Sequence, residues 1–66
     1  MNINKLKGKI VESGMNVDDL ADKTNISRAS LYRKMNNADK FTIGDAVKIK
    51  KALNMSDTEA YEIFLA

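Results

Sequence analysis

Helical spacing of apolar residues, uninterrupted by any proline, is the feature that most limits how this 66-residue sequence can fold. Ile3, Leu6 and Ile10 recur at i, i+3 and i+7, and every other regular stretch of the chain has helical spacing too. Only short polar breaks separate these stretches. The sequence therefore predicts an all-α fold of five short helices, with no strand.

Stop and capping residues set the expected helix bounds. The first helix is predicted near residues 3–13, before Gly14. A second helix of about two turns should end before Asn25, a residue suited to left-handed backbone, and the third should run from Arg28 to about Asn36. A polar break over residues 36–40 precedes the fourth. The predicted N-caps of the second to fifth helices are Asn16, Ser27, Thr42 and Ser56.

The fourth helix is expected to turn an apolar face to the core and its lysines outward. Its predicted inward residues are Ile43, Ala46, Val47, Ile49 and Leu53.

Length and composition favour binding over chemistry. A chain this short forms one domain, residues 1–66, with little volume for a pocket. It has no Cys and no His, which excludes disulfides, a thiolate nucleophile, an imidazole base and a Cys/His zinc site. We expect no enzymatic activity, no cofactor and no metal.

Charge is distributed unevenly along the chain. Residues 1–26 are neutral, residues 27–51 carry seven bases against two acids, and residues 52–66 carry three acids and no base. A basic middle segment of this kind is typical of a nucleic-acid partner. The sequence contains neither an uninterrupted apolar run of membrane-spanning length nor a signal-peptide core, so we expect no membrane association and a cytoplasmic location.

The stretch Val17–Met35 predicts two short helices joined by a tight turn. The first ends in Ala-Asp-Lys-Thr at residues 21–24, and the second begins with Ile-Ser-Arg-Ala-Ser-Leu at residues 26–31. These residues resemble the helix-turn-helix of the lambda-repressor and Cro family, of Xre type, over about residues 17–36. The resemblance implies a five-helix lambda-repressor-like DNA-binding domain. Val17 stands where that family commonly has a phosphate-gripping Gln.

On a helical wheel, Leu31 and Met35 share one side of the third helix, and a polar face points away from it. Such a helix enters the major groove end first, so its N-terminal residues reach furthest. The predicted base-contacting or partner-contacting residues are Ser27, Arg28, Ala29, Ser30, Tyr32, Arg33 and Asn36. The predicted phosphate contacts are Asn16, Lys34, Asn37 and Lys40.

Two functions follow from the resemblance. The first is a regulator of a temperate-phage lysis/lysogeny switch that binds double-stranded operator DNA, with two copies placing their third helices about 34 Å apart. The second is an antirepressor, similar to the modulators of repression of phages of Gram-positive cocci, which would bind the N-terminal domain of the cognate phage repressor. Val17 and Tyr32 suit such an interface, and acids including Asp57, Glu59 and Glu62 could meet a basic face. Tyr61 and Phe64 are expected to be core or dimer contacts.

Overall fold

The computed structural model describes residues 1–65 and is all-α, as predicted. Within those residues there are five α-helices, one 3₁₀ turn and no strand. The helices are α1 (Ile3–Glu12), α2 (Val17–Thr24), α3 (Arg28–Asn36), α4 (Ile43–Ala52) and α5 (Asp57–Phe64). The predicted polar break after α3 contains the 3₁₀ turn, Ala38–Lys40, which sequence reasoning did not anticipate.

Side-chain caps explain where the helices begin. All four predicted N-caps accept a hydrogen bond from a backbone N–H of the first turn, and Asn2 does the same for α1. Such a cap is worth about 1 kcal/mol. In α2, α4 and α5 the cap is a reciprocal box, closed by Asp19, Asp45 and Glu59.

Left-handed residues end three of the helices. Gly14 has φ 73°, Asn25 φ 60° and Asn54 φ 51°. Gly and Asn are the residues that take this conformation at least cost, so the chain can reverse after α1, α2 and α4 without Pro.

The core lies where the helices meet, with α2 packed on both α3 and α4. Four side chains are fully buried, and they come from four different helices: Leu6, Leu20, Leu31 and Ile49. Burying such a side chain stabilises the fold by roughly 1.5–3 kcal/mol. α5 closes the core with Ile63, which is 3% exposed, and its backbone C=O accepts a hydrogen bond from the N–H of Asn2.

The predicted inward face of α4 is partly wrong. Ile49 and Leu53 are buried, as expected, and Ala46 is half-buried, but Ile43 is 87% exposed and Val47 is 47% exposed. Asp45, which lies between them in sequence, is buried. Residues two apart on a helix point to nearly opposite sides, so the side of α4 that carries Asp45 faces α3 and the side with Ile43 and Val47 faces outward.

Asp45 joins α3 to α4. Its Oδ2 atom accepts hydrogen bonds from Lys34 Nζ at 2.6 Å and from the N–H of Thr42 at 3.0 Å. Burial raises the pKa of the Asp45 carboxyl, but the hydrogen bonds from Lys34 and Thr42 outweigh that effect and hold its pKa below the ordinary value. The carboxylate thus closes the capping box of α4 and also binds the ammonium that reaches it from α3.

Ion pairs attach α5 to its neighbours. Lys5 Nζ lies 2.7 Å from Glu62 Oε2, and Lys9 Nζ lies 2.7 Å from Glu59 Oε2, which ties α5 to α1. Lys50 Nζ lies 2.9 Å from Asp57 Oδ1, which ties α5 to α4. All three acids of the acidic last segment are therefore paired inside the chain.

Replacing Asp45 by Ala should destabilise the protein by about 2–3 kcal/mol, because it leaves a largely buried Lys34 ammonium and the α4 cap without their acceptor. The melting temperature should fall by roughly 10 °C or more in a thermal unfolding experiment. Asp39→Ala is the matched control: Asp39 is exposed, and its removal should change the stability by less than about 0.5 kcal/mol. Equal losses for the two variants would contradict a structural role for Asp45.

Acid should weaken the attachment of α5. A hydrogen bond from Lys9, together with one from the N–H of Ser56, lowers the pKa of Glu59 from 4.5 to about 2. A lowered pKa in the folded state stabilises the fold above the unfolded pKa, and this contribution is lost as the pH falls from 4.5 towards 2. Chemical denaturation at a series of pH values should show a shallower acid loss for Glu59→Gln than for the wild type. Asp39→Asn should keep the wild-type slope, and an unchanged slope for Glu59→Gln would contradict this assignment.

Candidate nucleic-acid interface

The turn between α2 and α3 comprises Asn25, Ile26 and Ser27. The hydroxyl of buried Thr24 links the turn to the end of α2: its Oγ1 atom donates to the C=O of Leu20 at 2.8 Å and accepts the N–H of Ile26 at 3.4 Å. Ile26 packs against the core as the chain turns. Asn25 takes the left-handed backbone that the sequence predicted, and Ser27 then caps α3.

The small side chain of Ala21 lets α2 and α3 approach each other closely. Ala21 is 2% exposed at the contact between α2 and its neighbours, in the core cluster that also contains Leu31. A larger side chain there would have to displace core residues, since protein interiors are close-packed. The pair α2 and α3 is therefore a tightly packed helix-turn-helix.

The predicted orientation of α3 is confirmed. Leu31 and Met35 are buried, and five side chains of the other face are exposed. These five are Arg28, Ala29, Tyr32, Arg33 and Asn36. Ser27 is exposed and Ser30 half-buried; the Ser27 Oγ atom accepts the Ser30 N–H at 3.2 Å.

Two carboxylates of α2 lie beside this face. Asp22 Oδ2 is 3.7 Å from an Arg28 guanidinium nitrogen, with both side chains largely exposed. Interaction with the Asp18 carboxylate raises the pKa of Tyr32 above its ordinary value. Arg33 makes no ion pair within residues 1–65. Sequence reasoning did not assign Asp18 or Asp22 to this face, although their spacing on α2 could have indicated it.

The four predicted phosphate contacts are in different situations. Asn37 and Lys40 are exposed after α3 and around the 3₁₀ turn. Asn16 is exposed, and its Oδ1 atom accepts the N–H of Asp19 at 2.8 Å as the cap of α2. Lys34 differs, because its ammonium is bound by Asp45 and its side chain is only 18% exposed.

An apolar groove borders the outward face of α3, on the side of α1. It is lined by Val11, Val17, Tyr32 and Met35, with polar Asn16 and Asn36 at its edges. Val11 is 75% exposed, and sequence reasoning missed it because it falls outside the Ile3, Leu6 and Ile10 face of α1. We name this surface the α1–α3 groove.

Two negative findings concern the described part of the chain. No group of three or more acidic, His or Cys side chains is arranged to hold a metal ion there. None of the helices in that part has the length and apolar character needed to cross a membrane.

Comparison with known proteins identifies a family for this chain. A family model described as the helix-turn-helix domain of resolvase matches residues 4–38, which is just over half of the chain and includes α2, the turn and α3. No curated protein and no solved structure matches this sequence.

Proposed function

Because this chain belongs to the family of resolvase helix-turn-helix domains, we propose that it is a transcriptional regulator that binds double-stranded DNA and reads bases with α3. The observation that carries the proposal is the division of α3 into a buried side and a polar side exposed along its whole length. A recognition helix needs this division, since one side holds it in the domain while the other enters the major groove.

The exposed side chains suit base edges. Arg28 and Arg33 can each donate two hydrogen bonds to guanine O6 and N7, and Ala29 and the Tyr32 ring can contact a thymine methyl group. Ser27, Ser30 and Asn36 complete the proposed surface as hydrogen-bonding groups. The Asp22 carboxylate lies 3.7 Å from the Arg28 guanidinium in a largely exposed and therefore weak pair, which leaves Arg28 available to DNA.

Lysine and amide groups around α3 are the proposed phosphate contacts. Lys40 and Asn37 follow α3, and Asn16 offers its amide nitrogen from the start of α2 while its oxygen caps the helix. Lys34 contributes indirectly, because its bond to Asp45 fixes the C-terminal end of α3 against α4. The internal pairing of the α5 acids reduces their opposition to the basic segment that contains α3.

We propose further that the target is an operator of a temperate-phage lysis/lysogeny switch, as the resemblance to the Xre-type regulators implies. Such operators have two related half-sites one helical turn, about 34 Å, apart. A homodimer would present one α3 to each half-site.

The α1–α3 groove favours one alternative function, an antirepressor. Val17 stands where Gln would grip a phosphate, and it lines this groove together with the exposed Val11; the 47% exposed Tyr32 beside them can anchor a protein interface. The N-terminal domain of the cognate repressor would then bind over α3 itself. The acids Asp57, Glu59 and Glu62 do not support this alternative, because Lys50, Lys9 and Lys5 already pair with them.

DNA binding is tested by selecting duplexes from a random library and titrating the selected and a scrambled duplex by fluorescence anisotropy. We expect a preference of about 10³-fold for the selected duplex at physiological salt. Arg33→Ala should cost about 1–3 kcal/mol, or roughly 5- to 150-fold, on the selected duplex only. Lys40→Ala should weaken both duplexes and reduce the salt dependence by about one phosphate contact.

Lys48→Ala is the matched control, since Lys48 is an exposed lysine of α4 outside the proposed surface, and it should bind like the wild type. No sequence preference at any salt concentration would exclude operator reading. The protein can also be tested for co-elution with the cognate repressor domain. If the two co-elute, and Tyr32→Ala or Arg33→Glu abolishes the complex, the antirepressor function replaces operator reading.

A further inference from the structure

A second apolar groove lies between α4 and α5, outside the helix-turn-helix. Its apolar lining includes Ile43, Ala46, Val47, Ala60, Tyr61 and Leu65. We name this surface the α4–α5 groove. None of the proposed base-contacting or phosphate-contacting residues lines it.

The α4–α5 groove collects much of the exposed apolar surface. Ile43 is 87%, Leu65 74%, Tyr61 58% and Val47 47% exposed, and these are four of the seven large apolar side chains exposed in residues 1–65. Apolar side chains exposed singly need no explanation, but a contiguous patch marks an association surface. Of the two expectations for Tyr61, a core contact or a dimer contact, its exposure leaves only the dimer contact, whereas Phe64 does pack against the core.

We propose that the α4–α5 groove is the interface with a second copy of this chain, related by a two-fold axis. A two-fold interface must be self-complementary, because each residue of one copy meets the same surface on the other. The groove fits this requirement in shape: Ala46 and Ala60 leave room on α4 and α5, and larger side chains such as Ile43 and Leu65 project beside them.

The charges of the groove are also self-complementary. Lys50 and Asp57 line it and pair with each other at 2.9 Å, so two copies meet without net repulsion. The Asp57 side chain is 97% exposed and can accept a second ammonium, that of the other copy's Lys50. A two-fold axis makes this contact twice. This neutral surface has no electrostatic complementarity to a strongly basic or strongly acidic partner.

The position of the groove leaves α3 free. Asp45 points to α3, and at about 100° per residue Ile43 and Val47 lie about 160° away from it around the axis of α4. The two recognition helices would therefore lie on the outer parts of the dimer. Each copy measures 27 × 25 × 19 Å, a size at which two adjoining copies can present α3 helices about one turn of DNA, roughly 34 Å, apart.

The size of the groove predicts a weak dimer. Its exposed apolar centre consists of four large side chains, which is small for an interface of standard size with about 20–30 residues on each side. We expect a dissociation constant on the order of 1–100 µM, so that adjacent half-sites on DNA strengthen an association that is partial in free solution.

Sedimentation velocity of the whole chain without DNA, from about 1 µM to 1 mM, tests the interface directly. The wild type should pass from monomer to dimer with rising concentration and go no further. Ile43→Glu and Leu65→Ser should each weaken dimerisation at least tenfold while circular dichroism stays unchanged, since both side chains project into solvent. Val11→Glu is the matched control, because Val11 is 75% exposed in the α1–α3 groove, and it should dimerise like the wild type.

A charge exchange tests whether the partner is a second copy. Lys50→Glu makes both charged positions of the groove acidic, and Asp57→Lys makes both basic, so each variant alone should stay monomeric. Mixing the two variants should restore a dimer, because every acidic position then meets a basic one. Dimers of the single variants, or a mixture that stays monomeric, would overturn the proposal, as would a wild type that is monomeric throughout or forms larger assemblies.

The dimer interface and the proposed DNA-binding function can fail independently. Only the expected spacing of the two α3 helices rests on the proposed function. If the groove is the interface, Ile43→Glu should lose about tenfold or more in affinity for a duplex with two half-sites and keep its affinity for one half-site. Arg33→Ala should lose affinity for both duplexes and still dimerise. Equal binding of Ile43→Glu and the wild type to the two-site duplex would overturn the interface and leave base reading by α3 intact.

Discussion

The contact between the Lys34 ammonium and the Asp45 carboxylate decides how α3 is held. One carboxylate oxygen accepts hydrogen bonds from Lys34 Nζ and from the N–H of Thr42, so the same group closes the capping box of α4 and binds α3. A carboxylate this little exposed is stable only when its hydrogen-bonding capacity is used, which Lys34 and Thr42 ensure. Together with the burial of Leu31 and Met35, this contact fixes the direction in which the exposed face of α3 is presented.

The distribution of charge along the chain acquires a different meaning in three dimensions. The acidic last segment is not a free surface, because Lys5, Lys9 and Lys50 bind its three carboxylates. Within residues 1–65, the bases without such partners include Arg33 and Lys40, which lie on or near the proposed DNA-binding side. Lys23, Lys48 and Lys51 also make no ion pair within residues 1–65, and they lie together away from the outward face of α3, so the unpaired bases are not confined to that side.

Three surfaces of the chain have different character. The face of α3 is polar, the α1–α3 groove beside it is apolar with polar edges, and the α4–α5 groove is apolar and neutral. Separate surfaces allow one small chain to contact DNA and protein at once. In the proposed arrangement, α3 contacts DNA bases and the α4–α5 groove contacts a second copy of the chain.

The sequence by itself determined the helices and the direction of α3. Caps act within three residues and the helical period within one turn, so the start of α3 at Arg28, the left-handed Asn25 and the burial of Leu31 and Met35 were all predictable from neighbours in the chain. Tertiary structure decided which side of α4 is inside. Lys34, eleven positions before Asp45 in the sequence, makes the burial of the Asp45 carboxylate favourable. Apolar character alone assigned Ile43 and Val47 to the core; only the packed fold, in which α4 turns Asp45 towards α3, leaves them on the surface.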